Sequence, residues 1–171
     1  KTALQQKKKA IILNGPTGSG KTTAVYTLAK QYNYEIMEVN ASDVRNKEQI
    51  ESILGASSQQ MSLFMKEKII LVDEIDGLSG QADRGGLPAL KGIIEETKFP
   101  IIMTCNDIEE DKFKEFKKKA FVINFEKIHA HDMERILKNI CEKEKIKVPE
   151  QSIGMITKNA NGDLRAAITD L

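Results

Sequence analysis

Five short apolar runs punctuate the chain: Ala10–Leu13, Glu35–Val39, Lys68–Val72, Pro100–Thr104 and Ala120–Phe125. Each is too short and too apolar for a surface helix, and several abut turn residues, so the pattern predicts five strands. Between them the apolar positions recur at the helical period, near 21–32, 46–54, 57–66, 87–97 and 109–116. Strand and helix in alternation predict an α/β fold, a parallel sheet with helices on both faces. After Phe125 only helical stretches follow, near 131–144, 150–159 and 163–171, broken by Pro149 and by Asn161-Gly162. The expected organisation is an α/β domain over 1–128 and a small helical domain over 129–171, the change of pattern falling at about 126–130. The last helical stretch reaches Leu171, and the chain reads as a fragment of a longer protein. Met103, Met133 and Met155 read as core side chains.

Composition narrows this picture. With 171 residues, 40% of them hydrophobic, there is material for one full core and a small appendage. A net charge of +1 with 30% charged residues excludes a disordered or polybasic chain, so any contact with nucleic acid must be a local patch. The lysine runs Lys7–Lys9 and Lys117–Lys119 read as solvated faces. Cys105 and Cys141 match no metal or redox spacing, which points to a reduced, intracellular setting. No apolar run approaches a membrane span and no signal-peptide pattern is seen, so no membrane partner is expected. His129, His131 and Asp132 lack an evident further ligand for a metal.

The most informative stretch is Asn14-Gly15-Pro16-Thr17-Gly18-Ser19-Gly20-Lys21-Thr22-Thr23, directly after the first apolar run. Glycines at 15, 18 and 20 let the backbone curl so that several N–H groups point inward, and a helix beginning near Lys21 adds its positive dipole end. Lys21 is then placed for β- and γ-phosphates, and the Thr22 hydroxyl for Mg²⁺. The strand before the loop and the amphipathic stretch after it supply the setting that such a phosphate loop requires.

Further chemistry sits at the ends of later strands, where parallel sheets present their ligand crevice. Ile69-Ile70-Leu71-Val72 runs into Asp73 and Glu74. Asp73 suits Mg²⁺, directly or through its water, and Glu74 can polarise a water for attack on a γ-phosphate, which favours hydrolysis over transfer to a small substrate. Ile101–Thr104 leads to Asn106, an amide able to bond both γ-phosphate and attacking water. Arg165 lies in the first turn of a helix opened by Asp163; a cation there opposes the helix dipole, so a phosphate partner explains it better than local stability does. The chain has only four arginines, Arg45, Arg84, Arg135 and Arg165, against 22 lysines. Since Arg is the side chain for bidentate phosphate recognition, Arg45 and Arg84, in loops beside these strands, are candidate phosphate contacts, with ion pairs to nearby acids such as Asp43 and Asp83 as the alternative.

Taken in order, Gly15–Thr22, Leu71-Val72-Asp73-Glu74, Thr104-Cys105-Asn106-Asp107 and Gly162-Asp163-Leu164-Arg165 resemble the AAA+ ATPases over nearly the whole chain. Within that class the chain is similar to clamp loaders, and among them to replication factor C large subunits of archaeal type. Glu38–Arg45, Asp73–Gly77, Asp83-Arg84-Gly85-Gly86 and Asn161–Leu171 carry that finer likeness.

The resemblance implies a five-stranded sheet followed by a helical lid, with Gly15, Pro16, Thr17, Gly18, Ser19, Gly20, Lys21, Thr22 and Thr23 holding the nucleotide. Asp73 and Glu74 become the Walker B pair, with Thr22 and Asp73 on Mg²⁺, Asn106 the first sensor and Arg165 the second. Asn40 matches a polar residue that holds the catalytic glutamate idle until DNA arrives. The implied activity is ATP hydrolysis to ADP in a clamp-loader subunit dependent on its neighbours. The implied partners are the small subunits, a sliding clamp and primer–template DNA, in the cytoplasm, or the nucleus of a eukaryote. A helicase, a helicase loader or a nucleotide-gated binding module with little turnover are the alternatives. Two features stand out against the family: Lys1 begins after the place of the family's KYRP-type segment, and Lys118-Lys119-Ala120 stands where small subunits carry Ser-Arg-Cys with its arginine finger. The second favours the large-subunit reading.

Overall fold

The computed structural model describes residues 10–41, 67–78, 86–109 and 111–171. The expected helices near 46–54 and 57–66 lie outside these residues, as do Arg45 and Arg84. The chain forms two compact units, one comprising residues up to Asn14 with Thr22–Asn124, the other Gly15–Lys21 with Phe125–Leu171.

The first unit is built on a parallel sheet of strands β1 (Ala10–Asn14), β2 (Glu35–Asn40), β3 (Lys68–Asp73), β4 (Ile101–Cys105) and β5 (Ala120–Asn124). Their order is β2-β3-β4-β1-β5, so β4 lies between β3 and β1, and β5 is an edge. Every residue of β4 is buried, as is all of β3 except Asp73, which explains their unbroken apolar runs. Ile12, Ile70, Ile101 and Met103 are fully covered, packed in one core with Leu90, Ile94, Phe113 and Phe116. Burying a side chain of this size contributes about 1.5–3 kcal/mol. Helix α1 (Lys21–Tyr32) buries Val25 and Ala29, four residues apart on one face. It closes at Asn33, in the left-handed region at φ 58, with the Tyr34 N–H returning to the Ala29 carbonyl at 2.8 Å. Helices α2 (Gly86–Glu96) and α3 (Lys114–Lys119) complete the described part of this unit.

In the second unit, α4 (Ala130–Glu144) buries Met133, Leu137 and Cys141, and α5 (Glu150–Ala160) buries Ile153, Thr157 and Ala160. Lys145, at φ 57, ends the first of these helices, and Asn161, at φ 46, ends the second. Helix α6 (Leu164–Thr169) adds Ala167 to the shared core. Met103 and Met133 are core, but Met155 is 66% exposed, because it lies two residues from Ile153 and Thr157 and so on the outer face of α5.

Candidate nucleotide-binding site

The glycine loop and the base of α6 meet within the second unit. Gly15 approaches the chain so closely that a Cβ there would lie 2.2 Å from the Phe125 carbonyl oxygen. Gly18 adopts φ +67 and lies against the Asp163 carboxylate, while its own carbonyl accepts the Leu164 N–H at 3.2 Å. Asp163 also caps α6 by accepting the Ala166 N–H at 3.0 Å. The Ser19 hydroxyl donates to the Pro16 carbonyl at 2.7 Å. Lys21, 8% exposed, donates to the carbonyls of Gly15 and Pro16 at 2.7 and 2.9 Å. Its ammonium is thus held at the loop's own centre, where phosphate oxygens can exchange for carbonyls. Arg165 is exposed, in the first turn of α6.

Within the first unit the strand ends converge. The Thr22 hydroxyl donates toward the Asp73 carboxylate, at 3.1 Å from Oδ1 and 3.3 Å from Oδ2. Asn40, the last residue of β2, is paired in register with Asp73. Glu74 follows in the left-handed region at φ 56, ψ 52, and its side chain is exposed to water. Asn106 is tied to the turn after Glu74: its backbone N–H and its side-chain amide both donate to Asp76 Oδ2, at 3.3 and 2.9 Å. Asn14 braces the end of β1, accepting the Ile108 N–H at 3.1 Å and donating to Asn124 at 3.0 Å. Tyr26 donates its hydroxyl to Glu38, which holds the phenol above its ordinary range, with burial, the charge of Glu38 and that of Asp73 adding smaller pushes; it therefore stays neutral in physiological water.

Asp73, Glu74, Asn106 and Asn40 are therefore carried on adjoining strand ends of one unit, where Thr22, in the first turn of α1, meets Asp73. Gly15–Lys21 and Arg165 are carried together in the other. Two residues and one contact escape the sequence reading. Thr104 donates to Asp73 and accepts from Glu74, Asp76 holds Asn106, and Asp163 abuts Gly18 as well as capping its helix. Thr104 lies two residues before Asn106 and Asp76 two after Glu74, and that proximity was the available signal. Asp132, the candidate beside the histidines, pairs with Arg135 at 2.9 Å.

Known proteins match this chain in sequence. The model of the ATPase family associated with various cellular activities (AAA) matches residues 11–115, and that of the RCF1/5-like AAA+ ATPase lid domain matches residues 135–171. Replication factor C large subunits are similar along nearly the whole chain. The protein of Nanoarchaeum equitans is 46% identical over 96% of this chain and 38% of its own length. That of Thermofilum pendens is 44% identical over 96% of the chain and 40% of its own length. That of Methanococcus maripaludis is 40% identical over 97% of the chain and 34% of its own length. The chain thus spans about two fifths or less of the relatives it matches.

Proposed function

Because the chain belongs to the AAA family of ATPases, we propose that it is the nucleotide-hydrolysing part of a clamp-loader large subunit. In this reading it acts with small subunits, a sliding clamp and primer–template DNA, in the cytoplasm or, in a eukaryote, the nucleus. Residues 1–128 serve as the nucleotide-binding domain and 129–171 as its lid.

The observation that carries the proposal is the convergence of Thr22 and Asp73, 3.1 Å apart, with the exposed carboxylate of Glu74 one residue further on. A hydroxyl and a carboxylate at that spacing are hard oxygen donors of the kind Mg²⁺ takes, so the residues fit that ion. Mg²⁺ held there would offset charge on the phosphate oxygens. The chain's own groups do the rest. The N–H groups of Gly15–Thr23 and the ammonium of Lys21 bind the β- and γ-phosphates. Glu74 orients a water and draws its proton as the water attacks, and Asn106 and Arg165 bind the γ-phosphate as it leaves. Asn40, in register with Asp73, serves as the DNA-responsive restraint on Glu74. Arg45 and Arg84 contact the DNA backbone.

Glu74→Gln tests the assignment. Nucleotide affinity should stay within about three-fold of the parent while turnover in the assembled complex falls by orders of magnitude. Equal loss of binding and turnover would make Glu74 a structural residue and remove the basis of the proposal.

A further inference from the structure

Thr104 occupies the place where β3 and β4 run out together. Val72 pairs with Met103, so one further step sets Asp73 beside Thr104. The Thr104 hydroxyl makes two bonds there. It donates to Asp73 Oδ1, and it accepts the backbone N–H of Glu74 at 2.9 Å. With 1% of the residue exposed, water does not compete for either. A hydroxyl has one proton to give and lone pairs to receive with, so this one relays between a carboxylate and a peptide group.

Glu74 needs such an anchor. Its backbone lies at φ 56, ψ 52, a region unfavourable for a residue with a Cβ and maintained only when the surroundings impose it. Thr104 holds the N–H on one side of this residue. On the other, the Glu74 carbonyl accepts the Gly77 N–H at 2.9 Å. The two bonds together set the direction in which the Glu74 side chain leaves the strand. The same hydroxyl also sets the tilt of the Asp73 carboxylate, whose oxygens receive Thr22.

We propose that Thr104 is a positioning residue for hydrolysis, aligning the Asp73 carboxylate and the Glu74 backbone through one hydroxyl. The proposal rests on the roles given above to Asp73 and Glu74. A purely architectural threonine would contribute its methyl and its β-branch. The required role needs its oxygen.

The test uses the full-length chain assembled with small subunits, clamp and primer–template DNA. Thr104→Val keeps shape and branching and removes only the hydroxyl. Its kcat should fall about 10–100-fold, the usual cost of removing a partner that orients a metal-holding group. Affinity for a fluorescent ATP analogue in EDTA should stay within about two-fold, while the gain in affinity on adding Mg²⁺ should shrink. Thr104→Ser should restore both kcat and the Mg²⁺ response. Thr104→Ser against Thr104→Ala, which differ by one oxygen, repeats the comparison should valine prevent folding. Parental kcat and Mg²⁺ response in Thr104→Val would overturn the proposal. So would activity in the serine, alanine and valine variants that simply tracks their melting midpoints. Glu74→Gln in the parent separates the two levels. If turnover survives it, the functional reading fails and this inference with it. If turnover is lost there but intact in Thr104→Val, only the role of Thr104 fails.

Discussion

A Cβ added to Gly18 would lie 1.8 Å from Asp163 Oδ1 and 3.0 Å from the Asp163 Cα, at a φ of +67 that side chains rarely adopt. Gly18→Ala should therefore push the Asp163 cap away from α6 as well as strain the loop. A lost cap costs about 1 kcal/mol and alanine at positive φ adds a comparable amount, so denaturant titration should show a loss of about 1–3 kcal/mol. Weaker nucleotide binding should accompany it. An unchanged midpoint would mean the loop yields without disturbing the helix. The need for glycine is legible in the sequence, because the spacing of Gly15, Gly18, Gly20 and Lys21 is local. The contact with Asp163 is not, because capping alone already accounts for an aspartate there. Thr104 is hidden for a similar reason: threonine suits a strand, and only the β3–β4 register reveals what its hydroxyl faces.

At the scale of elements, the apolar runs locate all five strands but misplace their ends. Strands β1, β2, β3 and β4 each continue one residue past the expected limit, through Asn14, Asn40, Asp73 and Cys105. The ladder persists there, Asn14 facing both Cys105 and Asn124, and Asn40 facing Asp73. Asn14, Asn40 and Asp73 are polar, and the candidate site draws on the last two, so hydrophobicity stops signalling strand where the candidate chemistry begins. The helix expected near 109–116 is instead a single 3₁₀ turn, Asp111–Phe113, followed by α3 through Lys119. Its lysine-rich end carried no apolar period to read. The final helix closes at Thr169, two residues short of the expected limit.

Between α4 and α5, Lys138 meets Glu150 at 2.6 Å. The hydrogen bond and charge of Lys138 hold the Glu150 carboxyl below its ordinary 4.5, and Glu150 holds the Lys138 ammonium above its ordinary 10.5. The lowered carboxyl stabilises the fold above its ordinary value, and that contribution is lost as pH falls through the lowered value. The raised ammonium contributes fully below 10.5, and its contribution is lost as pH rises through the raised value. Glu150→Gln should thus lower the melting midpoint slightly at about pH 7 in low salt, the pair being exposed, and lose that effect in strong acid. A difference that persists after the carboxyl is protonated would assign the effect to packing.

For the whole molecule, the question is where the transition-state cation comes from. The lysines in and beside the place where small subunits carry their arginine are already engaged: Lys117 with Glu109 at 2.6 Å, Lys118 with Glu115 at 2.9 Å, and Lys119 with Glu95. Lysine also lacks the guanidinium fork. The isolated chain should hydrolyse ATP very slowly. Addition of small subunits, clamp and DNA should raise turnover by a factor on the order of 10³–10⁵, the range an arginine supplied from a neighbour provides. Phosphate release from the isolated chain as fast as from the assembly would exclude a shared site.

The bond from the Leu164 N–H to the Gly18 carbonyl ties the glycine loop to the foot of α6. A ligand that shifted Gly18 would pull on the helix, and a force on the helix would reach the loop, through the same few atoms. Binding couplings are reciprocal, so the factor by which bound nucleotide favours one setting of α6 equals the factor by which that setting tightens the grip on nucleotide. Sender and receiver are then assigned only by which event comes first.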